Sequence, residues 1–265
     1  MIDYHLHTTR CCHATGSLED YLAEAEKKQL REIGFSDHFP LDLLGVTPRA
    51  PVTMEASELE EYIKEVEGLK SLGSNMNIKL GIEIDYIPGT ENKLGKLLEQ
   101  YDFDYVIGSI HYLGDWDFTH PVYADHYQDY DMDSLYDKYF KLLQDACRSR
   151  LFDVIGHIDV IKKFGYRPAN DLEALYIETA RLLRESGTCI ELNTAGQDAP
   201  VGEFYPDPQL LEVCLSEGVA VTMGSDAHSP EQVGRYFNEA VELLKLSGCR
   251  ELTVFEQRKR SSIQL

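Results

Sequence analysis

At 265 residues, with 43% apolar side chains and only ten prolines, the chain has the composition of a folded globule and not of a disordered segment. Its formal net charge of −21 repels phosphate backbones over most of the surface, which disfavours nucleic acid as a partner and favours a small or cationic ligand. No basic-then-apolar leader opens the sequence and no apolar run approaches the roughly 18 residues of a spanning helix, so a soluble, cytoplasmic protein with no membrane partner is expected.

The length suits one α/β domain over 1–265, since barrels of that class reach about 250 residues around a single core. Six cysteines form no Cys-x-x-Cys pair and read as reduced, mostly buried thiols. The chain opens on Asp3-Tyr4-His5-Leu6-His7-Thr8. In a strand, alternation sends His5 and His7 to one face and Tyr4 and Leu6 to the other. Ser17 then caps a helix carrying Leu18, Tyr21, Leu22 and Ala25, with Asp20 three residues on. A second strand over 31–36 runs into Asp37-His38, and a proline-bearing polar loop follows. A charged helix over 54–72 shows Leu59, Ile63, Val66 and Leu69 on one face. The third strand, 77–86, carries Glu83 near its end.

The same grammar continues. A helix near 91–100 leads to a strand ending on His111, and a loop rich in Asp, Tyr and His spans 112–132 before a helix near 133–149. Then come a strand ending on His157, a helix near 171–186, a strand from Thr188 to Asn193 and a helix near 207–217. A strand from Ala220 runs into Asp226 and His228, and a helix over about 230–246 and a short strand near 252–256 close the chain.

Seven strand-then-helix units imply parallel strands with crossover helices, either a barrel or a doubly wound sheet. The barrel is favoured because polar residues end nearly every strand: His7, His38, Glu83, His111, His157, Asn193, Asp226 and His228 all fall where barrel enzymes build their sites. With His13 added, seven of the nine histidines join one Glu and one Asp in this set. Mixed imidazole and carboxylate ligands suit zinc, manganese or iron, and nine ligands exceed what one ion accepts, so two or three divalent transition metals are expected.

Together, Asp3-Tyr4-His5-Leu6-His7-Thr8, Ser36-Asp37-His38, Gly81-Ile82-Glu83, Gly108-Ser109-Ile110-His111, Gly156-His157 and Gly224-Ser225-Asp226-Ala227-His228 resemble the polymerase-and-histidinol-phosphatase (PHP) family. They are most similar to its monofunctional histidinol-phosphate phosphatases of histidine biosynthesis. The resemblance implies a distorted, TIM-like (βα)7 barrel with a trinuclear metal site. It implies His5, His7, Glu83 and Asp226 on a first ion, Glu83 bridging to a second held by His111 and His157, and His13, His38 and His228 on a third. Catalytic weight would fall on Glu83, Asp226 and His228.

Clustered cations lower the pKa of water toward 7 and neutralise phosphoryl oxygens, so hydrolysis of a small, cationic phosphate monoester by in-line hydroxide attack is expected. Arg167 is the candidate phosphate clamp, because a guanidinium matches phosphate oxygens in a bidentate way. Asn193 is a second candidate for substrate or ligand orientation, and Asp37 for holding a metal-bound imidazole. His120, Asp117, Asp125 and His126 of the long loop are candidates for the substrate's cationic end. Another PHP phosphatase, a phosphodiesterase or exonuclease, or a metal-binding subunit without turnover remain as alternatives, and the oligomeric state is left open.

Overall fold

The structure is a computed structural model that describes residues 1–71 and 76–265. In chain order it contains β1 (Ile2–Leu6), α1 (Leu18–Lys27), β2 (Glu32–Phe35), α2 (Leu59–Ser71), β3 (Asn77–Asp85), α3 (Glu91–Leu98) and β4 (Tyr105–Ser109). A small hairpin of β5 (Tyr112–Leu113) and β6 (Trp116–Asp117) precedes α4 (Met132–Ser149) and β7 (Val154–Ile155). Then follow α5 (Glu173–Ser186), β8 (Cys189–Asn193), α6 (Pro208–Ser216), β9 (Val221–Gly224), α7 (Phe237–Leu246), β10 (Glu251–Glu256) and β11 (Lys259–Gln264).

Seven strands pair in parallel in the order β1-β2-β3-β4-β7-β8-β9. Just beyond β9, Ala227 closes the ring onto β1: its carbonyl accepts from His7 N–H at 2.9 Å and its N–H donates to His5 O at 3.0 Å. The result is the expected nearly closed barrel of seven βα units, with every predicted site residue drawn from strand C-termini or the loops just after them. Toward the N-terminal ends of the strands the interior is filled by aromatic rings. Tyr105 lies where a Cβ on Gly34 or Gly81 would project, donates to Tyr4 O at 2.7 Å, and stacks on the Tyr4 ring at 4.7 Å. Side chains at 34 and 81 would evict that ring, which is why both positions are glycine.

Local signals explain several boundaries. Ser17 and Asp20 form the reciprocal capping box at the start of α1. On α2, Leu59, Tyr62, Val66 and Leu69 are the buried face, with Ile63 packed at its margin; the expected helix end at 72 lies outside the described residues.

Two expectations need correction, and a third, the closing strand, is right but incomplete. The final helix begins at Phe237 and not at 230: Pro230–Gln232 form a 3-10 turn, and Gly234 and Tyr236 adopt positive φ of 60° and 57°, which breaks a helix before 237. The long 112–132 loop is structured, with the β5–β6 hairpin followed by 3-10 turns over Pro121–Asp129. The closing strand is one half of an antiparallel hairpin, β10–β11, whose Phe255 lies 6.2 Å from the rings of both Tyr4 and Tyr105. Its turn residues Gln257 and Arg258 both have positive φ, 47° and 61°, a conformation usually advertised by Asn-Gly or Asp-Gly. The cysteines are free, and all but Cys12 are buried.

Candidate metal centre

His5 lies in β1 and His7 one residue past it, with both side chains fully buried on the same side of the strand. His38, following β2, forms an isolated parallel bridge with Glu83 of β3, which draws the two side chains together. His111 and His157 each fall two residues beyond their strands, β4 and β7, while Asp226 and His228 follow β9. Two of these residues pay a backbone cost to reach the centre: Asp226 and His157 carry positive φ of 51° and 23°, where L-residues are strained.

Glu83 is the hub. Its Oε1 lies 3.1 Å from His157 Nε2 and 3.7 Å from His111 Nε2, while its Oε2 lies 3.4, 3.6 and 3.0 Å from His5 Nε2, His7 Nε2 and His38 Nδ1. One carboxylate thus faces two separate groups of imidazoles. Asp226 Oδ1 approaches His7 Nε2 at 3.1 Å, His5 Nε2 at 3.8 Å and His228 Nδ1 at 3.6 Å. His13 and His228 meet at 2.9 Å through their Nε2 atoms, as His111 and His157 do at 3.2 Å. All nine predicted ligands therefore converge on one end of the barrel.

Behind these rings stands a shell of acceptors. Glu191 Oε1 takes His5 Nδ1 at 2.7 Å, Asp37 Oδ1 lies 3.4 Å from His7 Nδ1, Asp85 Oδ1 is 3.0 Å from His111 Nδ1, and the Cys11 carbonyl takes His13 Nδ1 at 2.7 Å. A proton held on the outward nitrogen leaves the inward one with a free lone pair, the arrangement a metal-ligating histidine needs. The inner atoms fit that reading. Buried His5 Nε2 and Glu83 Oε2 have no hydrogen-bond partner, an expensive state unless a cation satisfies them. Within several triads, among them His5-His7-Glu83, His5-His157-Asp226 and His7-His38-His228, the ligand atoms lie within 4.8 Å of one another.

Electrostatics divide five of the histidines into two sets. Burial opposes charge on His5, His7 and His111, but the surrounding carboxylates overcome it, holding His5 well above its ordinary value and pushing His7 and His111 up to about 9. At His13 and His228 the nearby carboxylates are outweighed: burial and neighbouring imidazoles press His13 down to about 4 and His228 well below its usual value. Burial also opposes charge on Glu83 and Asp226, yet the facing imidazoles keep both carboxylates well below the usual range. The centre is a preformed array of anions and imidazoles of the kind divalent transition metals take.

The centre forms the floor of a cavity of about 510 Å³ whose wall includes Asp85, Tyr112, Asp117, Thr119, His120 and Lys163. His120 is therefore at the cavity, as expected, with its Nδ1 accepting from Val122 N–H at 3.3 Å. Arg167 is not part of that lining; its guanidinium is committed to Glu203 at 2.6 Å, with Asp207 at 3.9 Å. Asn193 is fully buried and outside that lining, donating to Glu191 at 2.9 Å and to Asp226 at 3.4 Å while accepting from Ala195 N–H at 2.9 Å, which places it behind the candidate ligands. Asp37 is where it was expected, beside His7 and Thr8. Of the other loop candidates, Asp117 lines the cavity and Asp125 and His126 do not.

Sequence reading missed Lys163, Asp85 and Glu191. Lys163 is the one lysine or arginine lining the cavity among the described residues; burial pulls its ammonium below the ordinary range, against the pull of Asp226 and Asp117. A signal for Glu191 was present: it shares strand parity with Asn193 and is flanked by Ile190 and Leu192, and a carboxylate in so apolar a strand requires buried partners.

A family model described as the PHP domain matches residues 3–195. A probable histidinol-phosphatase of Deinococcus radiodurans is 39% identical over 263 residues, covering 98% of each chain. The histidinol-phosphatase of Bacillus subtilis is 27% identical, covering 91% of this chain and 98% of its own. Among solved structures, histidinol phosphate phosphatase from Lactococcus lactis, complexed with zinc, L-histidinol and phosphate, superposes with a TM-score of 0.83 at 23% identity, covering 98% of both chains.

Proposed function

The chain belongs to the PHP domain family, and on that premise we propose that it is a metal-dependent phosphatase that hydrolyses L-histidinol phosphate to L-histidinol and phosphate in histidine biosynthesis. The whole chain acts as one PHP domain, working in the cytoplasm; among the described residues no helix is long and apolar enough to cross a membrane. The observation that carries the reading is Glu83, whose two oxygens face two different groups of imidazoles. With that geometry His5, His7 and Asp226 would hold a first ion, His111 and His157 a second, and His13, His38 and His228 a third, with Glu83 facing the first two groups. Two or three zinc, manganese or iron ions fit this donor set, and zinc is the ion in the Lactococcus lactis relative.

When bound, clustered divalent ions supply hydroxide at neutral pH and neutralise phosphoryl charge. Hydrolysis adds one water across the ester P–O bond: its oxygen ends on phosphorus and one of its protons on the leaving alkoxide oxygen. Lys163 holds the phosphate's remaining charge, the role first expected of Arg167. Asp117 and His120 form the wall for the substrate's cationic end. Asp117 Oδ1 is pinned by Thr119 N–H, Thr119 Oγ1 and His120 N–H at 2.9 to 3.1 Å, which holds the carboxylate in one orientation without a cation.

The test is phosphate release by the metal-loaded chain across small phosphomonoesters and a nuclease substrate. Histidinol phosphate should exceed uncharged monoesters by at least tenfold in kcat/KM. Equal rates on generic esters would overturn the substrate assignment while leaving the phosphatase reading intact.

A further inference from the structure

Glu191 of β8 is fully enclosed, and its side chain meets only donors. Oε1 takes the ring N–H of His5 at 2.7 Å; Oε2 takes the backbone N–H of His157 at 2.9 Å and the Asn193 amide at 2.9 Å. The carboxylate lies where a Cβ on Gly224 would project, so that position, just ahead of Asp226, is open only because it is glycine. His5 and His157 belong to the two groups that Glu83 faces with its separate oxygens. Asn193 extends the chain of contacts to Asp226 Oδ2 at 3.4 Å.

We propose that Glu191 is a positioning residue that couples two ion sites, fixing the His5 ring with its Nε2 free and holding the strained His157 backbone, so that the two sites fill or fail together. The inference rests on the metal-centre reading above. Two features make the carboxylate irreplaceable. Both oxygens must accept, so an amide in its place necessarily turns an NH2 against either the His5 ring N–H or the pair of N–H groups at His157 and Asn193. The His157 backbone, at a φ of 23°, also relies on the acceptor that Glu191 supplies. None of its hydrogen bonds reaches His13, His38 or His228, so the third group of ligands stands apart from this coupling.

The experiment is metal titration of the full-length chain by chelator competition with zinc, on wild type, Glu191→Gln and Glu191→Asp, alongside metal content at a fixed free zinc concentration. Circular dichroism and the thermal midpoint of each metal-free variant report whether it folds. Outer acceptors of metal-bound histidines are worth about 10- to 100-fold in affinity. Glu191→Gln should weaken two ions together by that factor while the remaining ion stays as tight as in wild type. Glu191→Asp, which keeps two acceptors but shortens the reach, should lose less than Glu191→Gln at both ions. A Gln variant that folds and binds every ion like wild type overturns the proposal, as does one in which only one ion weakens or all weaken equally. Should the Gln variant fail to fold, the Asp variant decides by the same criterion, paired loss supporting the coupling and unpaired or absent loss refuting it. A wild-type chain that takes up no zinc would instead refute the metal-centre reading itself.

Discussion

Replacing Glu83 by Gln removes one negative charge and changes almost nothing else in shape. The side chain is buried within 3.0 to 3.7 Å of five imidazole nitrogens, and Ser109 Oγ donates to its Oε1 at 2.5 Å. A unit charge at about 4 Å from a cation, with an effective dielectric near 20, contributes about 4 kcal/mol. Each oxygen carries about half that charge but would face a divalent ion, so the loss is again about 4 kcal/mol at each of two ion positions, or about a thousandfold in each dissociation constant. The metal-free chain should hardly notice, because the imidazoles facing an amide need no longer be charged. Chelator competition with zinc and the thermal midpoint with and without metal give both quantities. A Gln variant that binds zinc within about threefold of wild type would refute the idea that Glu83 bridges.

Lys163→Met should raise KM for the phosphomonoester by about 10- to 100-fold, the scale of a hydrogen bond to a charged group, with a smaller change in kcat; steady-state kinetics decide it. Arg167→Ala, which removes an arginine already paired with Glu203, should leave KM within about twofold, and a large rise would restore it as the phosphate clamp. Asp117→Asn should raise KM for histidinol phosphate while sparing an uncharged ester, and equal effects on both would remove the carboxylate from cation recognition. Phe255→Ala takes the C-terminal hairpin's ring away from Tyr4 and Tyr105 and should cost about 3 to 5 kcal/mol in urea unfolding, with zinc affinity unchanged.

The barrel and the convergence of the candidate ligands at one of its ends were legible because they follow from local rules. Alternation in β1 pairs His5 with His7, and the recurrence of His, Glu or Asp at one strand end after another is what a barrel's working face requires. What escaped depended on distant partners. Arg167 has the chemistry of a phosphate clamp, and only the position of Glu203, 36 residues on, shows that its charge is already taken. Asn193 ends its strand like a ligand, yet Glu191 and Asp226 use its amide. Lys163 is unremarkable in sequence and becomes the cavity's cation through the turn after β7. The β10–β11 hairpin went unseen past its first strand because Gln257 and Arg258 adopt a turn that their side chains do not announce.

Anomalous X-ray scattering from zinc-loaded crystals tests the central claim most directly, because it locates the ions independently of activity. At least two peaks should appear, each about 2.0 to 2.2 Å from an oxygen of Glu83, with one also reaching His5, His7 and Asp226 and the other His111 and His157. A single peak, or peaks lying away from Glu83, would contradict a centre built on a shared carboxylate.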